Sequence, residues 1–121
     1  MNIKIKVLWG KKGVYGNEFD LWLPLHVHMA DAAYVAGLLW DRWLPDNVKI
    51  VIERGVISDE RYPVSARSVF ILISYLHDIG KASPIFQIKE FRFALKTDDS
   101  IKNALEAAGF HLNSFRFAPD T

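Results

Sequence analysis

Residues 65–80 constrain the fold more than any other stretch. Val69, Phe70, Ile71, Leu72, Ile73 and Leu76 leave almost no polar face there. A helix that is apolar nearly all round belongs at the centre of a domain, covered by others. Ser65 is placed to cap its start and Gly80 to stop it, so the sequence predicts a helix from about Ser65 to Ile79. That helix ends in His77 and Asp78. Burying an imidazole and a carboxylate is costly unless something pairs with them.

The rest of the chain supplies candidate covers. Leu25, His28, Ala32, Val35 and Leu39 recur at the helical period and predict a helix from about Leu23 to Trp43, with Pro24 in its first turn and Pro45 ending it. Asp46 is placed to cap a second helix running through Glu53 and closed by Gly55. Ser83-Pro84 opens another, expected to reach about Lys96, and Asp99 or Ser100 opens a last one that ends before Gly109. At the N-terminus, Ile3, Ile5 and Val7 alternate with Lys4 and Lys6, the pattern of a short strand. Gly10, Gly13 and Gly16 then mark an irregular loop holding Lys11 and Lys12. The tail from His111 to Thr121 has no period. The expected fold is mostly all-α: a compact helical bundle forming one domain over residues 1–121, with at most a short N-terminal strand.

Composition narrows the function classes. The formal net charge is +1, too small for a protein that holds nucleic acid by charge alone, so any such contact is local or supplied by a partner. With no cysteine, disulfides and thiolate metal sites are excluded. The longest apolar run, Val69 to Ile73, is too short to cross a bilayer. Residues 1–16 lack the continuous apolar stretch of a signal peptide. A soluble, cytoplasmic protein with no membrane partner is expected.

The chemistry-bearing residues are few. His77 and Asp78, at a helix end with Gly80 freeing the backbone, can turn towards one cation. The plainer alternative is a helix C-terminus where His77 meets the dipole and Asp78 caps a neighbour. His28 lies on the apolar stripe of the first long helix; as a single histidine it also reads as a satisfied core residue. His26, two positions away, faces the opposite side. Asp31, one turn after His28, is placed to hold its ring in one tautomer. Taken together, His28, His77 and Asp78 offer two nitrogens and one carboxylate, a set that suits iron, manganese, cobalt, nickel or zinc and suits calcium poorly. Lys81 follows as either a phosphate contact or a solvated lysine. Trp9-Gly10-Lys11 offers a second cation. Trp22, Trp40, Trp43, Phe86, Phe91 and Phe93 read better as core than as a stacking surface for bases. His111 is a spare ligand candidate.

These residues carry a resemblance. Leu76-His77-Asp78-Ile79-Gly80-Lys81-Ala82-Ser83-Pro84-Ile85-Phe86-Gln87 resembles the signature of the HD nuclease domain of the type I CRISPR-associated helicase-nuclease. Trp9-Gly10-Lys11, the Gly-Asn-Glu-Phe of residues 16–19, Pro24-Leu25, His28 to Ala33 and Leu39-Trp40-Asp41-Arg42 follow that family's opening in order. The likeness runs from about residue 7 to residue 87. It implies a compact helical HD fold that binds one or two divalent transition-metal ions. It also implies a hydrolase that cuts single-stranded DNA fed to it by a helicase domain, in the same or a neighbouring chain, in CRISPR antiviral defence. An RNA-guided surveillance complex would recruit it. By position, His28, His77 and Asp78 match the first three metal ligands, with Asp78 bridging where two ions bind. Lys81 matches the lysine beside the reacting phosphate. Catalysis would thus fall to Asp78 and Lys81.

The family's domain continues past this length, with later histidines and a final aspartate that complete the metal sphere. The chain therefore reads as the front, truncated part of such a nuclease domain, and whether it is an enzyme by itself stays open. Two other readings are compatible with the residues: an HD phosphohydrolase of small nucleotides, and a non-catalytic module that docks on the surveillance complex.

Overall fold

The computed structural model describes residues 3–15, 19–56, 60–61, 63–87 and 96–111. In chain order they form the helical turn α1 (Ile3–Lys6), strands β1 (Trp9–Tyr15) and β2 (Phe19–Pro24), helices α2 (Leu25–Arg42), α3 (Asp46–Gly55) and α4 (Ala66–Leu76), a 3-10 turn (Ile79–Ala82), the short α5 (Pro84–Gln87) and α6 (Lys96–Ala107). The mostly helical class expected from the sequence stands. The N-terminal details differ. Residues 3–6, expected as strand, are helical, and Gly10 and Gly13, expected in a loop, lie in the first strand of a hairpin, while Gly16 falls outside the described residues.

The chain divides into two compact units, Met1–His28 with Ile79–Thr121, and Met29–Asp78. In the first, β1 and β2 pair antiparallel, Lys12 opposite Trp22 and Tyr15 opposite Phe19, with a bulge between Trp9 and Lys11. Gly10 sits in that bulge, where one residue has no partner and the strand bends. The core of this unit is Trp9, Ile101 and Leu105, with Val7, Leu8, Phe86 and Phe110 packed against it. Helix α6 ends as expected before Gly109, whose φ of 87° suits glycine. Gly109 N donates to Glu106 O and Phe110 N to Leu105 O, closing the helix with Phe110 folded onto Leu105. Helix α5 begins at Ser83-Pro84 as expected, the Ser83 hydroxyl accepting from Phe86 N at 3.4 Å. Most of the expected extension to Lys96, with Phe91 and Phe93, falls outside the described residues, as does the tail after His111.

In the second unit, Trp40 of α2 meets Phe70 of α4, ring centroids 5.6 Å apart. Asp41 accepts two hydrogen bonds from Arg67, at 2.8 and 2.7 Å. Ser65 caps α4 as expected, accepting from Ser68 N at 3.1 Å. Helix α3 spans the expected segment but differs at its ends. Pro45 stands at its N-cap with no side-chain hydrogen bond, and Gly55 lies inside the helix, before Val56.

Two expectations about packing fail. Helix α4 is not wrapped: only Ala66 is buried, while Leu72 is 54% and Ile73 64% exposed. On α2 the buried apolar side chains are Leu25, as expected, with Met29, Ala36 and Trp40, while Val35 and Leu39 of the expected stripe are exposed. After Leu25 that amounts to a turn of about one residue, roughly 100°. A helix apolar over more than half its circumference defines no unique face, so its neighbours choose. Trp22 and Trp43, expected in the core, are exposed as well. Among the described residues no helix is long and apolar enough to cross a membrane.

Candidate metal centre

The last turn of α4 sets the geometry of His77 and Asp78. Its C-cap is His77, in helical conformation, so the expected helix to Ile79 stops three residues early and Gly80 lies inside the 3-10 turn. The His77 ring turns back along the helix, with Nδ1 2.5 Å from Ser74 O. A carbonyl oxygen only accepts, so Nδ1 carries the proton. The other nitrogen, Nε2, lies 3.1 Å from Oδ2 of Asp78. In neutral imidazole that nitrogen presents a lone pair, and so does the carboxylate. Two acceptors facing each other call for a proton or a cation, and a backbone-fixed tautomer is how metal-binding histidines are usually held.

His28 is half-buried in the first turn of α2. Strand β1 passes close by: a Cβ built on Gly10 would stand 3.1 Å from His28 Cβ and 3.1 Å from Leu25 Cα. The backbone joins there too, Leu25 N donating to Leu8 O at 2.7 Å. By donor chemistry, two imidazoles and a carboxylate with no sulfur, His28, His77 and Asp78 fit a transition-metal ion.

The other candidates are placed as follows. Lys81 lies in the 3-10 turn, three residues after Asp78, its ammonium 5.7 Å from the Phe86 ring centroid. Asp31, one turn after His28, is exposed. His26 Nδ1 is buried and has no hydrogen-bond partner among the described residues. His111 is exposed, beside a small apolar cleft with Leu8, Pro84 and Phe110.

Residues 9–115 match the family described as Cas3, HD domain. The chain belongs to the Cas3 HD domain family. A curated relative, the CRISPR-associated nuclease/helicase Cas3 of Streptococcus thermophilus, is 36% identical over 103 residues, which cover 84% of this chain and 11% of the relative. The chain thus spans about a ninth of that relative's length. No solved structure matches it.

Within this Cas3 HD chain, two residues matter more than their sequence suggested. The cation beside Trp9 is Lys12, not Lys11: Lys12 is buried with its ammonium 4.0 Å from the Trp9 ring centroid, and Lys11 is exposed. The alternation of a strand is what separates them. Gln87 is the other. It is 3% exposed, and its side chain accepts from Trp9 N at 3.0 Å and donates to Trp9 O at 2.9 Å and Lys81 O at 2.7 Å. Its partners are 78 and 6 residues away, so no local pattern announces them. The only sequence signal was its place at the end of the Lys81–Gln87 motif.

Proposed function

We propose that this chain is a metal-dependent phosphodiesterase module that cuts single-stranded DNA during CRISPR interference, in the cytoplasm. The observation that carries the reading is the pairing of His77 Nε2 with Asp78 Oδ2 at 3.1 Å, the other ring nitrogen being held by Ser74 O. Family membership supports it. The S. thermophilus relative is named a nuclease/helicase, which favours a helicase domain, in the same or a neighbouring chain, and an RNA-guided surveillance complex as partners.

In this reading His28 and His77 bind one divalent transition ion through ring nitrogens, and Asp78 binds it through a carboxylate oxygen. A second ion, where present, would share Asp78. The chemistry such ions supply is Lewis acidity towards a phosphodiester and acidification of water. The protein's part is positional. Ser74 O holds the proton on His77 Nδ1, leaving Nε2 to coordinate. Asp31 holds His28 in one tautomer. Lys81 meets the phosphate oxygens, where charge builds in the transition state.

A second reading, a non-catalytic docking module, has one observation in its favour. Within residues 29–78, Tyr34, Trp43, Val51 and Ile73 are each more than 60% exposed, and solvent-facing apolar side chains of that size commonly mark protein contacts.

Elemental mass spectrometry on chain purified without chelator separates the two. Near one equivalent of transition metal, lost in His77→Ala, is expected. A folded chain with no metal overturns the metal-site reading for this chain and moves the docking module forward.

A further inference from the structure

Gln87 has both of its side-chain donors and its acceptor committed to backbone. Nε2 reaches Trp9 O and Lys81 O, Oε1 takes the Trp9 N–H, and Trp9 Nε1 in turn donates to the Gln87 main-chain oxygen at 3.0 Å. The Trp9 ring rests on Phe86, centroids 4.5 Å apart, and the Lys81 ammonium lies beside the same Phe86. One buried amide therefore ties the carbonyl of Lys81 to the first residue of β1. No other side chain of this length does the same. Leucine or methionine has no donors, and a glutamate would set a carboxylate oxygen against two carbonyls.

We infer that Gln87 is a positioning residue for phosphate recognition: its amide fixes the backbone from which Lys81 reaches a phosphate of single-stranded DNA. A lysine places its charge through four flexible methylenes, so its reach is only as well defined as the peptide it starts from. Holding that peptide against a strand is what turns a mobile surface cation into a contact at a set place. The inference rests on the reading of Lys81 as a phosphate contact.

The test is binding of a fluorescent oligothymidylate in chelator, which stops cleavage, across a salt series. Wild type is compared with Lys81→Met, Gln87→Met and the double variant, and thermal melting records each variant's stability. A phosphate contact on a single strand contributes about 0.7 to the slope of log affinity against log salt, or about fivefold in affinity between 1 M and 0.1 M salt. Each single variant is expected to lose that much, and the double variant no more than either alone. A slope unchanged by Gln87→Met, or losses that add in the double variant, would overturn the inference while leaving the nuclease reading in place. Absence of binding by wild type would overturn the nuclease reading and the inference with it. If Gln87→Met does not fold, Gln87→Asn, uncharged and one methylene too short to span the same groups, carries the same comparison.

Discussion

The Nε2 atom of His77 lies 3.1 Å from Oδ2 of Asp78, while the other ring nitrogen is held by Ser74 O. The backbone thus chooses the tautomer, and the remaining lone pair faces a carboxylate. Replacing either side chain removes half of that pair without touching the core, since His77 is exposed and Asp78 only partly buried.

His77→Ala and Asp78→Ala are therefore expected to keep stability within about 0.5 kcal/mol of wild type, as surface changes usually do. Both are expected to lose bound transition metal by more than the roughly 10- to 100-fold that changes behind a metal ligand cost. Isothermal titration with Mn²⁺, beside a thermal melt, checks both. In a longer protein that carries this domain and cuts single-stranded DNA, Asp78→Ala should abolish cutting. An active, folded Asp78→Ala protein would sink the assignment.

Gly10→Ala is expected to destabilise the chain by about 1–3 kcal/mol, the usual range for a group forced into a packed site. The new methyl would stand 3.1 Å from both His28 Cβ and Leu25 Cα. The second of these is backbone and cannot rotate away. For a domain near this size each kcal/mol lowers the melting temperature by about 4–8 °C. Differential scanning calorimetry reads that shift directly, and an unchanged transition would mean that β1 does not pass so close to the start of α2.

The sequence marks candidate site residues more readily than the packing around them. His77 and Asp78 are adjacent, so their partnership needs only a helix end, and His28 is an imidazole among apolar neighbours, which marks it wherever the helix turns. Packing was harder to read because it depends on choices between similar faces. Helix α2 offers apolar residues on several faces, and after Leu25 the buried side chains, Met29, Ala36 and Trp40, lie one residue round from the stripe that periodicity favoured. The N-terminal hairpin was hidden for a different reason. Glycines that usually punctuate loops here sit within a strand, Gly10 at its bulge, and a bulge breaks the alternation that identifies strands. Gln87 was invisible in its role, because a buried amide is defined by partners far along the chain.

The Asp41–Arg67 pair gives a pH-dependent prediction. The Arg67 hydrogen bonds, followed by its charge, hold the Asp41 carboxyl below its usual value of 3.8, and Asp41 likewise raises Arg67. A carboxyl whose folded value is depressed contributes stability that is fully present above its unfolded value. That contribution fades as pH falls through the folded one. The gap in melting temperature between wild type and Asp41→Asn should thus be constant from pH 7 to about pH 5, then narrow below about pH 4. Both groups are exposed, so the gap should be small and shrink further in 1 M salt. A gap that widens on acidification would contradict the ion pair.

Helix α4 supplies the sharpest contrast between sequence and structure. Were it the buried central helix that its composition suggests, replacing Ile73 with serine would cost about 2–5 kcal/mol, as truncating a core side chain does. In the structure Ile73 is 64% exposed and its neighbour Leu72 54%. Ile73→Ser is therefore expected to change stability by no more than about 0.5 kcal/mol. It should also reduce any concentration-dependent self-association, because exposed apolar side chains of this size favour sticking between copies. Urea unfolding gives the first quantity and sedimentation velocity across a concentration series the second. A loss of several kcal/mol at Ile73 would mean that something covers α4 in solution. Its apolar sequence would then report burial after all.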